Sequence, residues 1–128
     1  MKLIKGLVVP GFKEGRKLGY PTANLKLFVK TVRPKPGIYA CRVKRSTGLK
    51  YEAILVSGVY KEATGQPRLE VYLLDWQGNL YGEKLTIELF DKMRDLVVIT
   101  NKANLKKIIQ ADIKAAKLFF KSLASISK

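Results

Sequence analysis

The feature that most limits what this chain can become is a change of hydrophobic period near residue 95. Before it, short runs alternate at the two-residue period of a strand; after it, apolar residues recur at three- and four-residue steps. GIYACRVKR (37–45) puts Ile38, Ala40 and Arg42 on one side and Tyr39, Cys41 and Val43 on the other. Ser46-Thr47-Gly48 reads as a hairpin turn, and LKYEAILVSG (49–58) as the returning strand. LIKGLVV (3–9) forms a first strand. In RLEVYLLDW (68–76), Leu69, Val71 and Leu73 share one face, while Glu70, Tyr72, Leu74 and Trp76 share the other. Gln77-Gly78-Asn79 then makes a tight turn, followed by a strand through LTIELF (85–90).

From Asn104 to Ser125, the residues Leu105, Ile108, Ile109, Ile113, Ala116, Phe120 and Leu123 draw one apolar stripe along an amphipathic helix. Lys106, Lys107, Lys114, Lys117 and Lys121 occupy the rest of its surface. Such a helix could lie on a membrane; packing on the sheet is the commoner use. Five or six strands with short turns, then one helix, predict a compact antiparallel barrel covered by that helix. Closing the barrel also removes exposed sheet edges. With 128 residues and no repeat, linker or low-complexity segment, the chain reads as one domain over 1–128.

Composition then excludes several chemistries. There is no histidine, which removes the serine triad, the cysteine–histidine pair and histidine metal sites together. Acid–base work near neutral pH falls to a carboxylate, Lys, Tyr or Cys41. Cys41 is the one cysteine, so it makes no internal disulfide, and its apolar neighbours predict a buried structural thiol. No apolar run approaches the roughly 20 residues that span a bilayer, and the first residues lack a signal-peptide core. The expectation is a cytoplasmic, monomeric protein without a membrane partner. Net charge is +15, which attracts anions: nucleic acid, acidic membranes, phosphorylated small molecules. The positive residues are spread from Lys2 to Lys128 in no compact block, so a solvated basic surface is the plainer reading.

Chemistry concentrates in GFKEGRKLGYPTANL (11–25). Gly11, Gly15 and Gly19 can take backbone angles closed to other residues, and such a loop can turn several N–H groups toward one anion. Arg16 and Lys17 can add charge beside it; an ordinary mobile turn is the alternative. Pro21 fixes its own backbone angle and pushes Tyr20 toward extended geometry. Thr22 and Asn24 then offer a hydroxyl and an amide oxygen, hard donors of the kind magnesium accepts, or else a local hydrogen bond at the start of a strand. Glu70 is a lone carboxylate among Leu, Val, Tyr and Trp. It is either a solvated side chain or a base in a partly apolar pocket. Asp75, beside a turn, reads as structural.

The spacing Gly6-x-Val8-x-x-Gly11-x-x-x-Gly15-Arg16-x-Leu18-Gly19-x-Pro21-Thr22-Ala23-Asn24-Leu25 resembles the riboflavin kinase family, in particular the kinase module of bacterial bifunctional FAD synthetases. The resemblance continues through Pro36–Ala40, Leu69–Trp76, Leu80-Tyr81-Gly82, Met93-Arg94-Asp95, and Leu105, Ile109 and Asp112. It implies a six-stranded antiparallel Greek-key barrel with a C-terminal helix. It also implies transfer of the γ-phosphoryl group of ATP to riboflavin, with Mg2+ or another divalent metal, giving FMN and ADP. On that resemblance Gly11–Gly19 would form the flap over the phosphates, Thr22 would ligate the metal with Asn24 beside it, Glu70 would be the base, and Arg94 would lie in a second flap next to the flavin. Val56–Glu62 departs from the family's Asn-Ile-Gly-x-x-Pro-Thr-Phe pattern, and the Phe that usually follows the second-flap Arg is absent. Without an adenylyltransferase domain, the product expected is FMN. Two alternatives stand beside the kinase: a non-catalytic flavin-binding barrel, and a basic nucleic-acid-binding module.

Overall fold

The computed structural model describes residues 2–9, 22–28, 33–60, 67–76, 78–97 and 101–126. Six strands, β1 (Lys2–Val9), β2 (Ala23–Leu27), β3 (Gly37–Lys44), β4 (Lys50–Tyr60), β5 (Pro67–Leu73) and β6 (Lys84–Arg94), are followed by one helix, α1 (Lys102–Ile126). The strands close into a barrel in the order β1-β2-β5-β4-β3-β6, with every pairing antiparallel. β3, β4 and β5 form a meander and β6 returns beside β3, which is the Greek-key order.

Alternation along the strands sorts the side chains into two clusters. Inside the barrel, Val8, Leu25, Cys41, Leu55, Val71 and Ile87 pack together, with Tyr39 and Val43 on the face expected of them. Burial pushes the Cys41 thiol well above its usual range. Outside, Ile38, Ile54 and Leu74 form a second cluster under Ala116 of α1, joined by Val56, Tyr72 and Ile113. The apolar stripe of the helix is therefore spent on the barrel wall rather than on a bilayer. No helix among the described residues is long and apolar enough to cross a membrane.

Polar contacts fix the helix in place. It starts after Asn101, whose Oδ1 accepts the Asn104 N–H at 2.9 Å as an N-cap. Arg94, the last residue of β6, donates to Asp112 through Nε (2.7 Å) and Nη2 (2.8 Å). The Arg42 guanidinium lies 5.4 Å from the Phe90 ring centroid and 5.8 Å from that of Phe120, a cation–π contact between β3, β6 and α1.

Two expectations need correction. β5 ends at Leu73, before the expected Trp76, because Asp75 takes a positive φ of 54° and turns the chain. Trp76 consequently packs against the inner core and leaves the face of Glu70 and Leu74. β6 is also longer than 85–90, running to Arg94, because its outer end pairs with β3 beneath the helix.

Candidate active site

The site is organised by the pairing of β2 with β5. Its register sets Ala23 opposite Val71, Asn24 opposite Glu70 and Leu25 opposite Leu69. Ala23, Leu25, Leu69 and Val71 belong to the inner core. By strand alternation, Asn24 and Glu70 then share the outer face. Directly opposed residues on antiparallel strands hold their Cβ atoms about 5 Å apart, so an amide and a carboxylate, both half-buried, lie side by side.

The same register row continues around the barrel. Val56 stands opposite Glu70, Ile38 opposite Val56, and Arg94 opposite Ile38. Glu70 thus has a polar neighbour in Asn24 and an apolar one in Val56, with Tyr72 two residues on along its own strand. Arg94 is three strands away, about 14 Å along the sheet at the usual strand spacing. Between them the row passes beneath α1, where Ile38 and Val56 pack.

Thr22 precedes β2 and borders a cleft at the barrel end, together with Val8, Ala23, Trp76, Leu80 and Tyr81. The Trp76 wall is firmly supported. Gly78, at φ 151°, lets the indole cross close to the backbone, where an added Cβ would stand 2.7 Å from the ring. The Arg45 guanidinium lies 5.4 Å from the indole centroid and grips Glu83 with two bonds of 2.9 and 3.0 Å. The Tyr51 ring meets the indole edge-on at 6.1 Å. Arg45 holds the Glu83 carboxyl below the usual carboxylate range. The opposite lip is tied to β1, since the Gly82 N–H donates to the Val8 carbonyl at 3.0 Å and the Glu83 carbonyl accepts from the Val8 N–H at 2.9 Å. Gly82 takes a φ of 78°, which a side chain would strain. Asn79 Oδ1 accepts the Tyr81 N–H at 2.8 Å, shaping the turn that carries Tyr81.

Of the residues singled out in the sequence, Thr22, Asn24 and Glu70 gather where β2 meets β5. Arg94 lies on the same row, but its guanidinium is engaged by Asp112 and by the Asp95 carbonyl at 2.9 Å. Gly11, Gly15, Arg16, Lys17, Gly19 and Pro21 lie outside the described residues, as do 61 and 62 of the departing segment. Ser57, in the described part of that segment, is fully buried and donates to the Pro34 carbonyl at 3.0 Å. Asp75 pairs with Lys117 at 3.1 Å, consistent with a structural role. Sequence reasoning did not find the Arg45–Glu83 support of Trp76, whose only local signal is the pair of glycines, Gly78 and Gly82, around the Leu-Tyr of the turn.

Among the described residues, no cluster of three or more His, Cys, Asp or Glu side chains could hold a metal. The donors that fit a cation here are the oxygens of Thr22 and Asn24, which are uncharged and hard. That set suits an ion that keeps waters and takes further oxygens from a phosphorylated ligand.

Comparison with known proteins identifies the family. The family model for riboflavin kinase (flavokinase) matches residues 2–120. A bifunctional riboflavin kinase/FMN adenylyltransferase from Haemophilus influenzae is 35% identical over 120 residues, covering 93% of this chain and 39% of the relative. An RNA-binding riboflavin kinase from Bacillus subtilis is 32% identical over 116 residues, covering 88% of this chain and 49% of the relative. A solved structure described as a macrolide-efflux protein from Streptococcus pneumoniae superposes with a TM-score of 0.84 at 32% identity, covering 90% of this chain and 38% of that one. The chain therefore spans half or less of the length of these relatives.

Proposed function

The chain belongs to the riboflavin kinase family, and on that premise we propose that it transfers the γ-phosphoryl group of ATP to the 5′-hydroxyl of riboflavin, giving FMN and ADP. The observation that carries the reading is the direct opposition of Asn24 and Glu70 on β2 and β5, immediately after Thr22. Phosphoryl transfer asks little covalent chemistry of a protein; it asks for positioning and neutralisation of charge. Glu70 accepts the proton of the attacking hydroxyl, and its flank of Val56 and Tyr72 limits competing water. Asn24 orients the reacting groups beside it.

Thr22 and Asn24 are the residues that would hold magnesium, which when bound neutralises charge on the phosphates. The cleft bordered by Thr22, Trp76 and Tyr81 receives the nucleotide: its aromatic walls suit a base, and Thr22 lies at the end where the phosphates must arrive. Gly11, Gly15, Arg16, Lys17, Gly19 and Pro21 are the residues proposed to contact those phosphates, as the family resemblance implies. Arg94 leads into the segment next to the flavin.

The test is product formation. Purified protein with riboflavin, ATP and magnesium should yield FMN and ADP in equal amounts, and omitting any one of the three should stop it. Riboflavin bound without turnover would favour the flavin-binding barrel instead. A second reading, nucleic-acid contact alongside catalysis, is supported by the net charge of +15 and by the name of the Bacillus relative.

A further inference from the structure

Five of the six lysines of α1 fall on one side of it; the sixth, Lys102, opens the helix. At 100° per residue, Lys106, Lys107, Lys114, Lys117 and Lys121 fall within one arc of about 100° and span about 22 Å along the axis. All five are exposed. The single acidic residue of the helix, Asp112, lies on the other flank, where it is engaged by Arg94. Lys117 meets Asp75, itself exposed, at 3.1 Å. On the far side of the helix the exposed positions include Asn104, Ala111, Ala115, Leu118 and Ser122, none of them charged.

We propose that this lysine stripe is a docking surface for single-stranded RNA, held through its phosphates and without reading its bases. The proposal gives the second reading above a definite place and stands apart from the β2–β5 site. Three observations select this partner. The stripe is made only of lysines, compact point charges that match phosphate without the planar fork by which arginine recognises a base edge or a carboxylate pair. It runs about 22 Å along one flank of the helix, room for several phosphates of one extended strand. The broad apolar face of α1, including Ile113, Ala116 and Phe120, is already packed on the barrel, and the exposed apolar side chains that remain, chiefly Leu118 and Ile126, are too few to form the continuous face an interfacial helix inserts into an acidic membrane.

The test compares two quadruple variants of equal net charge, each assayed for kinase activity as a check on folding. One replaces Lys106, Lys107, Lys114 and Lys121 with Gln. The other replaces four exposed barrel lysines, Lys2, Lys44, Lys50 and Lys84. Binding to a labelled 20-nucleotide single-stranded RNA is measured by anisotropy across a salt series. The wild type should show a log–log salt slope of about −3, from roughly −0.7 for each of four contacts. The helix variant should bind at least about tenfold more weakly with a flatter slope, and the barrel variant within about twofold of wild type, by the same counterion release. Equal weakening in the two variants would overturn the proposal. So would wild-type binding without salt dependence, or binding of polyglutamate as tight as that of RNA, which would mark a surface for acidic peptides. Kinase turnover is read separately, so failure here leaves the catalytic reading intact, and the reverse.

Discussion

Asn24 and Glu70 are register partners on β2 and β5, and the next partner of Glu70 around the barrel is Val56. On the proposed reading, a carboxylate placed between an amide and an aliphatic wall serves as a positioned base. Replacing it with its amide keeps the shape and removes the proton acceptor. Glu70→Gln should therefore cut kcat by roughly 10²–10⁴-fold, the usual contribution of a positioned base, while the thermal midpoint stays near wild type. Steady-state kinetics beside a melting curve decides it.

Thr22 contributes one hydroxyl at the mouth of the cleft. Thr22→Ala should raise the magnesium concentration needed for half-maximal turnover, whereas Thr22→Ser should restore it. A magnesium titration at saturating ATP is the measurement. An unchanged requirement in the alanine variant would remove Thr22 from the metal.

Arg94 and Asp112 tie the end of β6 to α1 through two parallel hydrogen bonds, with both side chains largely shielded. Asp112→Asn should cost about 1.5–3 kcal/mol of unfolding free energy, the range for hydrogen bonds to charged groups. Urea titration reads this directly. With Arg94 beside the flavin as proposed, the same variant should raise KM for riboflavin more than KM for ATP.

Arg45 lowers the pKa of Glu83 in the folded state. The sign follows from linkage. The stabilisation is fully present above the unfolded carboxyl's value, near 4.3, and is lost as the pH falls through the lowered folded value. The stability difference between wild type and Glu83→Gln should therefore be largest near neutral pH and shrink below about pH 4. Denaturation midpoints at pH 7 and pH 3 test it. Since the pair also supports Trp76, Arg45→Met should raise KM for ATP with a smaller effect on kcat.

Cys41 is fully buried in the barrel interior, where desolvation disfavours its thiolate. It should resist alkylation in the native state and react at the rate of a free thiol once unfolded. A thiol-reagent time course in buffer and in denaturant distinguishes the two.

The barrel and its helix could be read from the sequence because period decides which side chains face inward. Tyr39, Cys41 and Val43 face inward as their alternation requires, and α1 starts within two residues of its expected position. The strand carrying Glu70 ends earlier than its alternation suggests, because alternation says nothing about where a strand stops. Asp75 turns the chain through a positive φ, which sends Trp76 to the cleft. The pairing of Asn24 with Glu70 is legible only once the strand order is known, for 46 positions separate them in the chain and a Greek-key crossover brings them together. Likewise, nothing local to Arg45 announces Glu83, since that contact exists only because the β3–β4 turn meets the start of β6.

The measurement that bears most directly on the kinase reading is FMN formation by wild type and Glu70→Gln side by side, with riboflavin affinity measured for both. The prediction is FMN from the wild type, a loss of roughly 10²-fold or more in the variant, and similar riboflavin binding by the two. Wild-type protein that binds riboflavin yet makes no FMN, or a variant that turns over at the wild-type rate, would contradict it.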